Sequence, residues 1–319
     1  MLEFLLLFLP SFIQVPIRKV LGANIGRGTK IRFGTYLKAT DIDLGRHVII
    51  GPFSYVKAKR LNIGDCSRIK PFSISCAHNI EFGKHIIIAP IAVIKGPIIK
   101  GSEIKIGDHS YIFPFCWIDP REGVEIGKQT GVGGHTLIFT HGGWMNYLNN
   151  GPIEFGKVII EDNVWIPWRV FILPNVRIGR NSIIRANSLV SKSIPQNCMA
   201  AGTPAKVLKS DLIFEIAKEE KIQRVHELID KFHHYMDLKK ESKNRNQIKL
   251  NSAEGLKGGD LLLLLDEEEL EKNISFLLEK NISVIQLDSL VFKKASNEKY
   301  IDDFILFLRK YGIRLSVEL

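Results

Sequence analysis

The chain is poor in cysteine, and its four cysteines form no recognisable pattern. Cys66, Cys76, Cys116 and Cys198 are at least ten residues apart in a chain of 319, and no two of them are arranged as C-x-x-C. A zinc ribbon needs closely paired cysteines, and a small disulfide-stabilised scaffold needs a higher density of them. The spacing argues against both, and it predicts a protein of a reducing compartment, which we expect to be the cytoplasm.

The sequence also lacks an apolar run long enough for a transmembrane helix. The most apolar segment, Met1–Pro16, is shorter than the roughly 20 residues that span a bilayer, and Pro10 interrupts it. It has neither the positive n-region nor the cleavage site of a signal peptide. We predict an apolar helix over residues 1–19 that caps a core. The alternative is a peripheral anchor on the inner face of the membrane, with Arg18 and Lys19 beside it.

Positive charge is in excess, but only in part of the chain. The formal net charge is +10; residues 1–209 contain 26 Lys and Arg against 13 Asp and Glu, whereas residues 210–319 contain 18 against 21. The basic residues are scattered instead of clustered with aromatic ones, so we expect no nucleic-acid partner. The charge predicts an anionic small ligand.

An aliphatic residue recurs every six positions in the middle of the chain. The members are Ile160, Ile166, Ile172, Ile178, Ile184 and Val190. Six residues rotate an α-helix by about 600°, so these residues would form no apolar stripe on a helix. A single strand of this length would greatly exceed the usual three to ten residues. The pattern therefore predicts a hexapeptide β-solenoid, whose coils bury a core by stacking on one another.

The same phase can be followed through most of the N-terminal two thirds, and we assign residues 20–209 to the solenoid. Its largest break lies between Ile138 and Ile160. This break predicts a loop, Thr140–Val158, that leaves the solenoid. Insertions of this kind often build the binding face of a repeat protein.

The last coils resemble a known family. Three segments, DNVWI (Asp162–Ile166), ILPNVRIG (Ile172–Gly179) and AGTPAKVL (Ala201–Leu208), are similar to the final coils and the coenzyme A signature of the hexapeptide-repeat acyltransferases. That family includes galactoside, maltose, xenobiotic and polysaccharide acetyltransferases. The resemblance implies a left-handed parallel β-helix, acetyl-CoA as acyl donor, and a homotrimer with active sites between neighbouring subunits. The left-handed sense rests on the resemblance alone, because parallel crossovers are usually right-handed.

The resemblance also implies a reaction and a general base. We expect an O-acetyltransferase that transfers an acetyl group directly to a hydroxyl of a sugar or polysaccharide precursor. The family's base lies where the chain enters the loop, which here is His141, and histidine has an unperturbed pKa of about 6.5 that suits proton abstraction. His135 is expected to face the same cleft, where it positions the acceptor or shares the base role. Asp119 and Glu154 are the candidates for a carboxylate that orients the base.

Further residues are predicted to contact the two substrates. Aromatic faces and amide edges suit a sugar ring, and the loop supplies them. The candidates for the acceptor are Trp144, Asn146, Tyr147 and Glu154. The candidates for coenzyme A are Trp168, Arg185, Ala186, Lys192, Gly202, Thr203, Pro204, Ala205 and Lys206. We expect no metal.

The C-terminal third predicts a separate organisation. Apolar residues at three- and four-residue steps over residues 210–238 indicate an amphipathic helix, expected to pack on the solenoid or on a trimer partner. Residues 239–259 are polar and predict a linker. Residues 260–319 alternate between strand and helix patterns, which predicts a small α/β module with a three-stranded parallel sheet. We expect this module to serve interaction or assembly.

Three alternative functions stay open at this point. An amino-sugar N-acetyltransferase would use the same machinery. A solenoid scaffold without catalysis is suggested by Trp168 and Arg169, which are bulky where the family usually has small residues. A zinc hydratase like the γ-type carbonic anhydrases would use His109, His135 and His141 as ligands. The AGTPAKV ending argues for coenzyme A and against the hydratase.

Overall fold

The structure is a computed structural model that describes residues 2–318 apart from residues 144, 213, 215, 239–245, 266–275, 288 and 296–297. The chain divides into two compact units, Met1–Phe214 and Glu215–Leu319. The first unit contains the predicted solenoid. The second contains the amphipathic helix and the α/β module.

The first unit is a parallel β-helix in which each coil contributes one strand to each of three sheets, A, B and C. Sheet A has strands β1 (Asn24–Ile25), β4 (Asp41–Leu44), β7 (Arg60–Ile63), β10 (Asn79–Phe82), β13 (Glu103–Ile106), β16 (Val124–Ile126), β21 (Val158–Ile160) and β24 (Arg177–Ile178). Sheet B has strands β2 (Lys30–Ile31), β5 (Ile49–Ile50), β8 (Arg68–Ile69), β11 (Ile87–Ile88), β14 (Tyr111–Ile112), β17 (Gly131–Val132), β22 (Trp165–Ile166), β25 (Ile183–Ile184), β27 (Met199–Gly202) and β28 (Ala205–Lys209). Sheet C has strands β3 (Tyr36–Lys38), β6 (Tyr55–Lys57), β9 (Ile74–Cys76), β12 (Val93–Lys95), β15 (Trp117–Asp119), β18 (Leu137–Phe139), β23 (Phe171–Ile172) and β26 (Leu189–Val190).

The six-residue repeat forms the core of this unit. All six members of the sequence repeat are at most 1% exposed. Each stacks on the equivalent residue of the next coil, as Ile126 does on Ile160 and Ile160 on Ile178. Burial of each such side chain contributes roughly 1.5–3 kcal/mol. The mainly β fold predicted from the repeat, a parallel β-helix, is therefore confirmed.

The coils turn at three corners, which we name A–B, B–C and C–A after the sheets that they join. Most corners of the first two kinds contain a non-glycine residue in the left-handed region, for example His109 (φ 59°) at A–B and Phe115 (φ 62°) at B–C. This conformation costs about 1–2 kcal/mol for an L-residue. It is held by hydrogen bonds between coils, such as that from the backbone N–H of His109 to the carbonyl of Lys84. Equivalent corner side chains therefore stack in columns along the β-helix.

The apolar N-terminus forms two short helices, α1 (Leu2–Leu6) and α2 (Ser11–Val20), where the sequence predicted one. Pro10 ends the first, because its ring has no N–H for a helical hydrogen bond. Both close the open end of the β-helix: the Ser11 hydroxyl accepts the N–H of Ile31 (2.9 Å). Arg18 does not face outward as a membrane-binding cation. It is 3% exposed and pairs with Glu3 at 2.7 Å.

The predicted loop leaves the β-helix at corner C–A, between β18 and β21. It contains an antiparallel pair, β19 (His141–Gly142) and β20 (Glu154–Phe155), and a 3₁₀ turn (Tyr147–Asn149). Its base is closed by a hydrogen bond from the N–H of Gly156 to the carbonyl of Thr140 (2.9 Å). The Asn175 side chain donates to the carbonyl of Phe155 (3.0 Å), which ties the returning strand to the next coil.

The second unit is a mixed α/β module built around a five-stranded sheet. Its elements are α3 (Lys218–Leu238), β29 (Ile248–Leu250), β30 (Leu261–Leu264), β31 (Ser283–Gln286), β32 (Val291–Lys293), α4 (Lys299–Lys310) and β33 (Ser316–Glu318). The sheet order is β29-β30-β31-β32-β33, with β31 and β32 antiparallel and the other neighbours parallel. Ile229, Phe232 and Met236 of α3 pack in its core.

Several details of the C-terminal prediction were wrong. The helix was expected to pack on the solenoid or on a partner; Ile229, Phe232 and Met236 of this helix lie in the core of the second unit. The expected linker contains β29, and the expected three-stranded parallel sheet has five strands in mixed orientation. Residues 266–275 of the predicted module lie outside the described residues. The coarser prediction, a small α/β module, is confirmed.

Candidate active site

The structure brings together the predicted base and one of its two candidate carboxylates. The Nδ1 atom of His141 lies 3.2 Å from Oδ2 of Asp119, within ion-pair distance although not aligned as a directional hydrogen bond. The histidine side chain is 31% exposed and the carboxylate 13%. Nδ1 of the imidazole therefore faces a largely buried carboxylate, while the rest of the ring is accessible to a substrate.

The carboxylate is held by the corner at which it lies. Asp119 ends β15, and its Oδ1 atom accepts the backbone N–H of Arg121 at 3.0 Å. The buried hydroxyl of Thr140 donates to the carbonyl of Asp119 (2.9 Å) and accepts the N–H of Glu122 (3.0 Å). These contacts fix the coil of Asp119 against the coil of His141. The pair is thus positioned by rigid β-helix geometry, which a loop alone would not supply.

The loop supplies the surroundings of His141. Phe155 of β20 pairs with His141 across the antiparallel ladder, and their rings are nearly parallel at 6.5 Å between centroids. Tyr147 is 71% exposed, and the Asn146 side chain accepts the N–H of Leu148 (2.9 Å), which caps the 3₁₀ turn. Glu154 is exposed and lies opposite Gly142. Trp144 lies outside the described residues.

The second predicted histidine does not lie beside the first in one subunit. His135 is at corner B–C and His141 at corner C–A, at opposite ends of strand β18. The ring of His135 lies between those of Phe115 (4.9 Å) and Trp168 (5.8 Å). Within one subunit the two histidines are separated by a whole face of the coil, and the expectation that His135 faces the same cleft as His141 stays a prediction.

Most coenzyme A candidates gather at corner B–C on the coils after His135. Trp168, Arg185 and Ala186 follow sheet B strands in successive coils, and the Thr203 hydroxyl donates to the carbonyl of Asn187 at the same corner (3.4 Å). The Trp168 ring can lie against residue 134 only because that residue is glycine. A Cβ at this position would meet the ring at 2.5 Å. The remaining residues of the signature, Gly202, Pro204, Ala205 and Lys206, form the terminal hairpin of β27 and β28. Lys192 is apart from them, since it follows β26 at corner C–A.

Corner B–C also has a column of exposed aromatic rings toward the N-terminus. Phe33, Phe53, Phe72 and Phe115 are each about half exposed. Phe33 contacts Phe53 at 6.1 Å between ring centroids and Phe53 contacts Phe72 at 5.4 Å, whereas Ile91 lies at the corner between Phe72 and Phe115. We call this set, with His135 and Trp168, the aromatic column. Its length and exposure are unusual for a surface that faces only water.

The three histidines of the zinc alternative lie at three different corners. His109 is at A–B, His135 at B–C and His141 at C–A. One subunit therefore does not assemble them at a single point. Among the described residues, no group of three or more His, Cys, Asp or Glu side chains has the arrangement of a metal site.

Sequence reasoning missed three contributors to the site. Thr140 and Arg121 hold Asp119 through a side-chain and a backbone contact, and Phe155 covers one face of His141. The threonine could have been suspected from its position at the start of the loop. The other two depend on how the loop returns and how the corner turns, and the local sequence has no signal for either.

Comparison with known proteins supports the assignment of the repeat. Residues 157–192 match the family model "Bacterial transferase hexapeptide (six repeats)". The chain is 59% identical over 51 residues to a galactoside O-acetyltransferase of Lactococcus lactis subsp. lactis (strain IL1403), covering 16% of this chain and 25% of that protein. It is 36% identical over 112 residues to the galactoside O-acetyltransferase of Escherichia coli (strain K12), covering 34% and 55%.

A solved structure, a maltose O-acetyltransferase from Clostridium difficile 630, is 31% identical, with 41% of this chain and 68% of that chain covered and a TM-score of 0.36. The chain thus spans less than two thirds of the length of either galactoside O-acetyltransferase. Residues 157–192 therefore contain the hexapeptide repeat of bacterial transferases, and the two curated relatives described above are named O-acetyltransferases.

Proposed function

We propose that the protein is an acetyl-CoA-dependent O-acetyltransferase that acts on a hydroxyl of a sugar or glycan, with His141 as general base. The observation that carries the proposal is the contact between Asp119 and His141, 3.2 Å from Oδ2 to Nδ1. A carboxylate at Nδ1 favours the tautomer that has its proton there, so Nε2 is left as the acceptor of a proton. A scaffold without catalysis has no need of this arrangement.

In the proposed transfer, His141 acts first as the base and then as the acid. The Nε2 atom removes the proton of the acceptor hydroxyl as its oxygen attacks the thioester carbonyl. The carboxylate of Asp119 stabilises the imidazolium that forms. When the tetrahedral intermediate collapses, the carbon–sulfur bond breaks, the acetyl group stays on the acceptor oxygen, and the proton on Nε2 passes to the leaving thiolate. His141 returns to its starting state.

We also propose that the active unit is a homotrimer. The base lies at corner C–A, whereas most coenzyme A candidates lie at corner B–C, so one subunit separates the two halves of the reaction. A neighbouring subunit that presents its corner B–C to the His141 of the first would join them. The aromatic column at corner B–C supports this arrangement, because its half-exposed rings would be covered. His135 would then reach the site from the neighbour.

The residues at corner B–C suit an acyl-CoA. Arg185 and Lys206 are exposed cations that can meet phosphate oxygens, and the ring of Trp168 is 48% exposed and can contact the pantetheine arm or the adenine. The donor therefore lies on coils C-terminal to His141, and the acceptor approaches from the other side.

The proposal is tested by thiol release from acetyl-CoA with a panel of sugars and amino sugars. We expect His141→Ala to lower kcat by 10²-fold to 10⁴-fold, the usual contribution of a general base, with little change in KM for acetyl-CoA. His109→Ala, at corner A–B, is the matched control and should keep full activity. Full activity of the His141 variant would contradict the assignment. Transfer to amino groups alone would favour the N-acetyltransferase alternative.

We further propose that helices α1 and α2 contact an anionic membrane surface. Phe4, Leu5, Phe8 and Phe12 are 62–77% exposed, although these helices cap a core. Lys19 and several other exposed cations lie close by in the sequence and complement anionic headgroups. Among the described residues, no helix combines the length and apolar character needed to cross a bilayer. The contact would be peripheral.

A further inference from the structure

The outer face of sheet C has a column of lysines that leads to the active site. Lys38, Lys57 and Lys95 occupy equivalent positions at the ends of β3, β6 and β12, with Cys76 of β9 between the last two. Asp119 occupies the next position, because Ile118 before it pairs with Ile94. Paired strands are about 4.8 Å apart, so the column extends about 19 Å from Lys38 to the carboxylate that holds His141.

These lysines have no compensating charge. In the described part of the chain, none of Lys38, Lys57 and Lys95 forms an ion pair. Sheet A shows the opposite arrangement. There Lys105 pairs with Glu81 (3.6 Å) and Lys157 with Glu125 (2.6 Å). The same fold therefore neutralises its cations on one face and leaves them open on another.

A second observation marks the N-terminal end of the column. A hollow of about 410 Å³ at corner C–A is lined by Lys38, Lys57, Lys59 and His78, among others. The Nδ1 atom of His78 is buried and has no hydrogen-bond partner. A buried polar nitrogen without a partner costs free energy, and a hydrogen-bonding group of a bound ligand would remove that cost. The lysines that line the hollow point to a ligand with negative charge.

Aromatic residues accompany the lysines along the same face. Tyr36 and Tyr55 stack at 4.7 Å, and Trp117, which follows Ile74 and Val93 in the same column, is 41% exposed. Flat apolar rings beside cations suit a chain of sugar rings that has C–H faces and acidic groups. The lysines are spread over a line, so they match a chain of anionic groups better than a single phosphate.

We propose that the outer face of sheet C binds the acceptor, and that the acceptor is an anionic glycan whose acidic groups lie along Lys38, Lys57 and Lys95. The functional meaning of this inference rests on the proposed acetyl transfer. The glycan approaches His141 from the N-terminal coils, on the side opposite the terminal hairpin. Its anionic group is a carboxylate or a phosphate diester, and both have the oxygen chemistry that the lysines require.

Direct binding tests the inference without relying on activity. The probes are polysialic acid for carboxylates, poly(glycerol phosphate) for phosphate diesters, and neutral dextran, with single-stranded dT20 as a competing polyanion. We expect the full chain to bind at least one of the anionic glycans and not dextran. The triple variant K38Q/K57Q/K95Q should weaken that binding by roughly tenfold or more, because each substitution removes a charged contact with the glycan.

Two matched variants separate charge at this face from charge in general. K30Q/K84Q/K128Q removes three exposed lysines from sheet B and corner A–B, and it should change the affinity by less than about twofold because those residues lie off sheet C. K38R/K57R/K95R keeps the charge and should keep the binding. Equal losses in the two glutamine triples, binding of dextran, or tighter binding of dT20 than of either glycan would overturn the inference.

Failure of the inference and failure of the proposed function have different signatures. Lysine-dependent glycan binding without acetyl transfer would refute only the proposed function. Transfer to a glycan whose KM is unchanged in K38Q/K57Q/K95Q would refute only the inference, as would a rise in KM for acetyl-CoA in that variant. His141→Ala should bind the glycan as tightly as the unsubstituted chain.

Discussion

At the scale of single residues, the pair of Asp119 and His141, here called the dyad, depends on contacts between adjacent coils. Asp119 belongs to β15 and His141 follows β18, which pair in register. Carboxylate and imidazole are therefore neighbours because the coils are stacked, and their separation in sequence is irrelevant. The carboxylate is also bound at Oδ1 by the N–H of Arg121, so that only Oδ2 faces the ring.

Replacing this carboxylate tests its positioning role. We expect Asp119→Asn to lower kcat about 10-fold to 100-fold, because an amide neither fixes the Nδ1 proton nor stabilises the imidazolium. KM for acetyl-CoA and the melting temperature should not change, since the amide oxygen can still accept the N–H of Arg121. Steady-state kinetics and thermal unfolding measure both. Glu122→Gln, an exposed neighbour, is the control; an equal loss of kcat in that variant would remove the special role of Asp119.

Part of the site could be predicted at this scale and part could not. His141 and Asp119 follow from family resemblance and from the six-residue register, which both survive in the local sequence. His135 has the same phase as His141, but phase alone does not show where the coil turns. Only the completed coil shows that strand β18 separates the two histidines.

At the scale of the element, each coil encloses side chains that do not react with reagents in solution as long as the coil is folded. Cys116 is 1% exposed, and its Sγ atom lies 3.1 Å from the carbonyl of Gly133. Burial raises the pKa of the Cys116 thiol from 9.0 to about 12. A thiol in this state has neither access nor the thiolate form that reagents attack.

Alkylation of the cysteines tests whether Cys116 is enclosed by the folded coil. With iodoacetamide at pH 8.5 under native conditions, we expect the half-buried Cys66 and Cys76 to react and Cys116 to stay unmodified, as judged by peptide mass spectrometry. The raised pKa also means that the unfolded thiol releases its proton while the folded one keeps it. Stability from this group is therefore lost as pH rises from about 9 to 12. Modification of Cys116 as fast as Cys66 would show that the coil opens.

The elements differ in how far the sequence predicts them. The β-helix strands are two to five residues long, yet their repeat makes them visible, because each coil confirms the phase of the next. The second unit has no repeat. Its strands β29 and β32 have only three residues each, and β29 lies in a polar segment, so an alternation of apolar and polar residues is too short to recognise there. Missing β32 also hid the antiparallel step in the sheet.

At the scale of the whole molecule, the first unit assigns different tasks to its different surfaces. Corner C–A holds the dyad and the loop, corner B–C the coenzyme A candidates and the aromatic column, and sheet C the lysines. The capping helices add an apolar surface at one end. The net charge of the chain is thus the sum of unlike surfaces, among which sheet C has the aligned lysines Lys38, Lys57 and Lys95.

Flotation with lipid vesicles tests the capping surface. We expect the full chain to float with vesicles that contain phosphatidylglycerol, and F4S/F8S/F12S to lose this binding at least about tenfold, since each phenylalanine moved out of water contributes roughly 1.5–3 kcal/mol. The variant keeps the inward residues of both helices. F214S/F276S/L306S, three exposed apolar residues elsewhere, is the control. Equal flotation of the F4S/F8S/F12S variant and the unsubstituted chain would contradict membrane contact.

The stacking of coils also makes the acceptor face adjustable in length. Each coil contacts only the coils above and below it, so duplication of one coil before Asp119 would shift the lysines by about 4.8 Å and leave the dyad intact. The length of glycan that is bound and the reaction at the acceptor hydroxyl are thereby set by different coils of the same β-helix. Gain or loss of a coil would therefore lengthen or shorten the surface that binds the polymer, without altering the reaction at His141.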